Sequence, residues 1–336
     1  MNNNFPKFIF LAAVVGAVLF SRMAYPAAAP AAPAEGMAET GGEVKVPLFA
    51  MPQSSVSAES GGESAAASSD KEANGAAGTW TGPNGALVFA RMNDTQAPVL
   101  DAHASLVADL TTGTVFESDH ADRRWPTASV AKLMSATIVL DKLDPGSRVY
   151  ITDAMFSVDP TEPVLAVGGT YTVLDLLKLM LLPSSNVAAE AAASFYGLDA
   201  FLKEMNARAA AWGMEDTYYT DPSGLSSSDQ STANDLLKLA QRIYKDYPKI
   251  LATSRTPQAT ITEMHSGAKS TIQSINLFAG TANFIGGKTG HTDEAEGNLV
   301  SVFQYENRPI LIIVLGTNNR FEDTKSLYNW FTTSFK

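Results

Sequence analysis

A serine three positions ahead of a lysine, Ser129 and Lys132 in "RRWPTASVAKLM", opens an apolar run with helical spacing. One helical turn separates the two, so both side chains fall on one face. A serine hydroxyl is a weak nucleophile and needs a base. A desolvated lysine beside a second cation that lowers its pKa can serve where no histidine is placed to do so. Ser and Lys also occur together in ordinary helix starts, and the chain repeats the spacing at Ser68/Lys71 and Ser266/Lys269. The chemistry therefore requires further groups, namely a second hydroxyl to relay a proton and a strand with donors to hold a substrate.

Both follow in order. "LLPSSNVAAE" supplies Ser184 and Asn186 in a loop between two helical runs, and "FIGGKTGHTDEAEGNLV" supplies Lys288, Thr289, Gly290 and His291 at the edge of returning strands. Decoys exist, with Ser274/Asn276 repeating the S-x-N spacing and His265 to Gly267 loosely imitating K-T-G. The ordered triple in suitable local structure singles out Ser129. Ser68 lies in a low-complexity stretch, Ser266 in a polar glycine-containing turn, and Ser129 alone opens a long apolar helix.

The elements that must position these groups are legible in the patterning. "ASLVADLTTGTVFE" reads as a hairpin over 104–117 about a Thr-Thr-Gly turn. Five segments with apolar residues at spacings of three and four form a helical middle: "SVAKLMSATIVLDKL", "TVLDLLKLML", "NVAAEAAASFYG", "LDAFLKEMNARAAAWGM" and "TANDLLKLAQRIYKDY". "GNLVSVFQYENRPILIIVLGT" reads as two strands about a polar Glu-Asn-Arg-Pro turn, and "FEDTKSLYNWFTTSF" as a closing helix. Strands at both ends of a helical middle predict an α/β domain whose first and last strands share one antiparallel sheet.

Composition narrows the function. The 336 residues carry a net charge of -11, against the basic surface that nucleic-acid binding needs. With no cysteine, disulfides, thiolate metal sites and a cysteine nucleophile are excluded, and four scattered histidines give no zinc-hydrolase motif. No metal or other cofactor is expected. Lys7 precedes an apolar run from Phe8 to Phe20 followed by small residues, the grammar of an export signal over 1–29, either cleaved or kept as a membrane anchor. Residues 30–97, rich in Ala, Pro, Gly and Ser, read as a disordered stalk, with the short apolar "TWTGPNGALVFARM" unexplained. The catalytic domain is expected over 98–336.

These three motifs, with the surrounding "VLDAHASLVADLTTGTVFESDHADRRWPTASVAKLMSA", "MNARAAAWGMEDTYYTDPSGLSSSDQSTANDLLKLA" and "VLGTNNRFEDTKSLYNW", resemble the serine penicillin-recognising enzymes. The resemblance is to the D-alanyl-D-alanine carboxypeptidases, the low-molecular-mass penicillin-binding proteins, over about residues 98 to 336. It implies a β-lactamase/transpeptidase-like fold. It makes Ser129 the acylated nucleophile, Lys132 its base, Ser184 the proton relay to the leaving amine, and Asn186 the group orienting Lys132 and the substrate amide. Lys288 supplies positive potential and Thr289 and its strand bind the peptide. The backbone N–H groups of Ser129 and His291 form an oxyanion hole, and Arg320 assists the terminal carboxylate.

The partners so implied are peptidoglycan stem peptides ending in D-Ala-D-Ala and β-lactam antibiotics, in the extracytoplasmic envelope. The leading activity is removal of the terminal D-alanine. D,D-endopeptidase cleavage of cross-links uses the same residues, and a silent wall-binding module is a third reading. A β-lactamase is disfavoured because no E-x-x-L-N-type stretch lies between Ser184 and Lys288. Departures from the family pattern are Val187 where Asp often follows S-x-N, and Glu296 between Ala295 and Gly297, expected to alter the strand past the site. On this reading the chain leaves no room for an additional C-terminal domain, so any membrane attachment is N-terminal.

Overall fold

The computed structural model describes residues 89–336. A five-stranded antiparallel sheet forms from both ends of this region. Its first hairpin comprises β1 (Ala104–Asp109) and β2 (Val115–Asp119). After the short β3 (Trp125–Pro126), a 3-10 turn over Ala128–Ala131 leads into α1 (Lys132–Lys142). Then come β4 (Arg148–Tyr150), β5 (Thr170–Thr172), α2 (Val173–Leu181), α3 (Asn186–Tyr196) and α4 (Leu198–Ala211). β6 (Gln230–Ser231), α5 (Ala233–Asp246), α6 (Pro248–Ser254) and the hairpin β7 (Gln258–Thr262) and β8 (Lys269–Gln273) follow. The chain returns through β9 (Phe284–Thr292), β10 (Glu296–Tyr305) and β11 (Arg308–Thr317) and closes with α7 (Arg320–Ser334).

The strand order is β2-β1-β11-β10-β9, so the expected pairing of first and last strands is present, in register from Ala104 with Leu315 to Asp109 with Ile310. Alternate side chains of the central strands enter two cores, as a period of two requires. Leu311, Ile313 and Leu315 face the helical middle, while Ile310, Ile312 and Val314 face Leu327, Trp330 and Phe331 of α7. Helices α2 and α5 start where Thr172 and Thr232 accept the N–H of Asp175 and Asp235, and α3 where Ser185 accepts that of Ala188. The β10–β11 hairpin turns on Glu306 and Asn307 alone, both at positive φ, a two-residue turn tighter than the four polar residues suggested.

The domain begins earlier than the sequence indicated. Residues 89–97, assigned above to a disordered stalk, are bound to the domain. Ala90 and Lys336 exchange backbone hydrogen bonds of 2.9 and 3.1 Å, Met92 N–H donates to Ser334 O at 2.7 Å, and Trp330 Nε1 donates to Thr95 O at 2.9 Å. The Phe89 ring lies 5.3 Å from Phe331, 5.7 Å from Tyr305 and 5.9 Å from Phe116. An aromatic residue packed in this way buries enough apolar surface to fix a strap that average composition assigns to disorder. The rest of the expected stalk and the export signal, together with Ser68 and Lys71, lie outside the described residues. Among the described residues no helix is long and apolar enough to cross a membrane.

Candidate active site

The site lies where the helical middle meets the edge strand β9. Ser129 sits in the 3-10 turn that precedes α1, and Lys132 is the first residue of the helix, so the serine opens a tight turn rather than the long helix itself. This turn is pinned from three sides. Ala128 adopts φ 45°, and the Thr127 N–H donates to Asp229 O at 2.8 Å. The fully buried Asn298 of β10 donates to Pro126 O and Thr127 O at 2.8 and 3.1 Å and accepts Gly316 N–H at 2.9 Å. A Cβ at Gly290 would stand 2.9 Å from Thr127 O and 3.3 Å from Ser129 N, so only glycine lets β9 approach the nucleophile this closely.

Lys132 is fully buried, and its Nζ lies 2.8 Å from Ser129 Oγ, 2.7 Å from Asn186 Oδ1 and 2.9 Å from Ser223 O. Two of these neighbours are carbonyl oxygens, which only accept. A neutral amine has two N–H bonds and one lone pair. With both N–H groups donated to Asn186 and Ser223, the lone pair is left facing the Ser129 hydroxyl. Asn186 keeps its oxygen towards Lys132 because its Nδ2 donates to Asp159 Oδ2 at 3.3 Å. Burial lowers the Lys132 pKa from 10.5 to about 7, against the opposing pull of Asp221, Asp159 and Glu162.

Ser184, between α2 and α3, is held at φ 68°, a left-handed conformation unusual for a non-glycine residue and often retained at functional positions. Its Oγ accepts from Lys288 Nζ at 2.7 Å, and the same amine donates to Thr289 O at 2.9 Å. The neighbouring Ser185 donates to Glu162. Lys288 is almost wholly buried and held well below the ordinary lysine range, first by burial, then by Lys132 and Arg320. Burial is thus the first cause of the lowering at both lysines. Arg320 has no salt bridge among the described residues, and its buried Nε has no hydrogen-bond partner there.

The structure therefore joins Ser129, Lys132 and Asn186 directly, joins Ser184 to Lys288, and brings Gly290 against the nucleophile. The His291 ring is turned aside, its Nδ1 3.0 Å from Glu296 O. Glu296, expected to disturb the strand, takes φ 51° at the start of β10, and the irregularity falls between Gly297 and Leu299 on the β11 side. Pairing with β9 runs unbroken from Glu296 with Thr292 to Val302 with Gly286. Val187 is buried in the core, away from any polar role.

The decoys do not gather such partners. The Ser266 hydroxyl donates to Glu263 at 2.6 Å in an exposed turn, and Ser274 accepts the N–H of Asn276. Two site groups escaped the sequence reading, the Ser223 carbonyl and Asp159. "TDPSG" signals a turn, but nothing in it points to a lysine at position 132.

A buried serine–lysine couple beside a second serine, on the edge of an antiparallel sheet backed by helices, defines the class of serine D,D-peptidases and penicillin-binding proteins. Residues 91–319 match the family described as D-alanyl-D-alanine carboxypeptidase, and the chain belongs to that family. A D-alanyl-D-alanine endopeptidase of Pseudomonas aeruginosa is 36% identical over 246 residues, 70% of this chain and 78% of the relative. A D-alanyl-D-alanine carboxypeptidase of Mycobacterium tuberculosis is 29% identical over 245 residues, 69% and 84% of the two chains. Among solved structures, penicillin-binding protein D2 of Listeria monocytogenes in its ampicillin-bound form is 30% identical, with a TM-score of 0.58 over 68% of this chain and 97% of that one. The fold is that of the penicillin-binding D,D-transpeptidases.

Proposed function

We propose that the chain is an extracytoplasmic serine D,D-peptidase that opens D-Ala-containing peptide bonds of peptidoglycan through an acyl-enzyme on Ser129. The observation that carries this reading is the buried Lys132 amine 2.8 Å from Ser129 Oγ, its other two contacts being the carbonyl oxygens of Asn186 and Ser223, so that in its neutral form the lone pair faces the hydroxyl. Ser129 Oγ attacks the D-Ala carbonyl carbon as its proton passes to Lys132. The oxyanion is held by the backbone N–H groups of Ser129 and His291. When the tetrahedral intermediate collapses, Ser184 hands its proton to the departing nitrogen and is resupplied from Lys132. Water then adds to the ester and frees Ser129, leaving a carboxylate on the shortened peptide.

The peptide enters as an added strand on β9, whose outer edge has no strand partner among the described residues. The carboxylate next to the scissile bond meets Lys288 Nζ, Thr289 and Arg320. Its negative charge returns Lys288 towards its protonated form, so the attraction strengthens on binding. Both possible substrates carry this carboxylate, on a terminal D-Ala or on the cross-linked residue, and the same groups serve either.

Of the two, cleavage of cross-links is favoured by the higher identity to the endopeptidase, and trimming of the terminal D-Ala is the second reading, supported by the family description and the mycobacterial relative. The test is mass spectrometry of products from a purified pentapeptide stem and a cross-linked dimer. Monomeric stems from the dimer, with an intact pentapeptide, are expected; loss of one D-Ala from the pentapeptide alone identifies the carboxypeptidase. Absence of a fluorescent-penicillin adduct on Ser129 overturns both.

A further inference from the structure

We propose that Asp221 is a positioning residue for acylation: its carboxylate folds residues 221–226 into a cage that seats the Ser223 carbonyl on Lys132 and Gly224 against the turn carrying Ser129. Asp221 Oδ1 accepts from the Ser223 N–H, the Ser223 hydroxyl and the Gly224 N–H, each at 2.7 Å, and from the Leu225 N–H at 3.3 Å. Its Oδ2 accepts from the Ser226 N–H at 2.7 Å. Five donors on one carboxylate leave the loop a single arrangement. Its two products are functional contacts. Ser223 O receives one N–H of Lys132 at 2.9 Å, and Gly224, at φ 81°, lies so close that an added Cβ would stand 1.9 Å from Ala128 O.

The direction of the Lys132 lone pair thus depends on two acceptors, each fixed by an acid: Asn186 by Asp159 and the Ser223 carbonyl by Asp221. Burial pushes the Asp221 carboxyl up, but the donors of Ser226, Ser223 and Gly224 outweigh it and hold the group below the usual range, so it is charged throughout the working pH. Of the carboxylates facing Lys132, Asp221 pulls hardest towards the protonated amine, ahead of Asp159 and Glu162 from the segment between β4 and β5. Lys288 faces Lys132 from β9, with Arg320 beyond it. Asp229, pushed up to about 7 by burial and then by Asp221, closes the far end of the loop.

The test is stopped-flow acylation of the full chain by a fluorescent penicillin from about pH 5 to pH 9. It rests on the acyl-enzyme reading, whose failure is distinct because the parent protein itself would then form no adduct. Asp221→Asn keeps the shape and removes the charge. Lys132 then loses its proton more easily, and the acidic limb moves to lower pH by on the order of one unit, the effect of a single charge a few ångströms away in a protein interior. The plateau falls roughly 10-fold, because an amide nitrogen cannot accept the Ser226 N–H and the carbonyl is no longer held in place. Asp229→Asn in the same assay separates its titration from that of Lys132.

Asp221→Glu keeps the charge and displaces the cage, so its limb stays within about half a unit of the parent while its plateau falls. A folded Asp221→Asn with a parental plateau overturns the proposal. Should that variant fail to fold, a parental plateau in Asp221→Glu overturns it instead.

Discussion

The pH dependence of acylation follows from the burial of one amine. Lys132 titrates at about 7 instead of 10.5, a shift worth about 5 kcal/mol in favour of the neutral form. As the base, it works only without its proton. About one molecule in ten is competent at pH 6, half at pH 7 and nine in ten at pH 8, so the rate rises roughly 10-fold per unit below pH 6 and levels above pH 8. Lys132→Ala removes both limb and base, and acylation falls about 100-fold to 10,000-fold at every pH. Lys288→Ala separates two causes. The sequence suggested that the second cation keeps Lys132 neutral, in which case the limb would move to higher pH. In the structure burial is the foremost cause lowering Lys132, and Lys288 is itself held well below the ordinary lysine range, first by burial and then by Lys132. The limb is therefore expected within about half a unit of the parent, with the loss appearing in kcat/KM for carboxylate-bearing peptides. Stopped-flow acylation of the three proteins decides it. A parental limb centred above about pH 9, or near-parental acylation by Lys132→Ala, refutes the assignment of the base.

Phe89→Ala is expected to destabilise the domain by about 2 kcal/mol, measured by urea denaturation, with the acylation rate unchanged, because the aromatic cluster it leaves is remote from Ser129. Asn298→Ala removes three hydrogen bonds from a fully buried side chain and should cost about 3 kcal/mol, lowering the acylation plateau without moving its limb. Gly224→Ala places a methyl on Ala128 O and is expected to abolish acylation in any fraction that folds, read by penicillin labelling of the soluble protein. The stability of Lys132→Met relative to the parent should be greatest near pH 6 and decline towards pH 9. The unfolded lysine holds its proton up to about 10.5 and the folded one only to about 7, so the parent gains stability through that window. A pH-independent difference in thermal midpoint would contradict the burial of a neutral amine.

The sequence disclosed what periodicity can disclose. Helices α1 to α5 and α7 and strands β10 and β11 carry apolar residues at the spacing their packing needs. The β7–β8 hairpin did not stand out because only Ile261 and Ile272 of its ten residues are buried. Residues 89–97 were hidden because a single packed phenylalanine and a few hydrogen bonds to the C-terminal segment, not the average of the segment, hold them. In the site, the groups that react were visible by type and order, since a serine, a lysine and an asparagine at fixed spacings are side-chain facts. The groups that aim them were not. Ser223 acts through a main-chain carbonyl, which every residue possesses, and Asp221 through the turn that presents it.

The strand order carries a consequence for when the protein becomes active. β11, made nearly last, is the middle strand of the sheet, and β1, made first, waits for it across some 200 residues. Helix pairs close to one another in sequence can form early, but a strand pairing over such a distance bears the full cost of closing the loop and sets the slow step. Until β11 arrives, β1 offers an unpaired apolar edge, a site for aggregation. The same event brings β9 and β10 against the turn of Ser129. Catalysis is thus the last property acquired, and in refolding the appearance of penicillin labelling should coincide with the slowest spectroscopic phase.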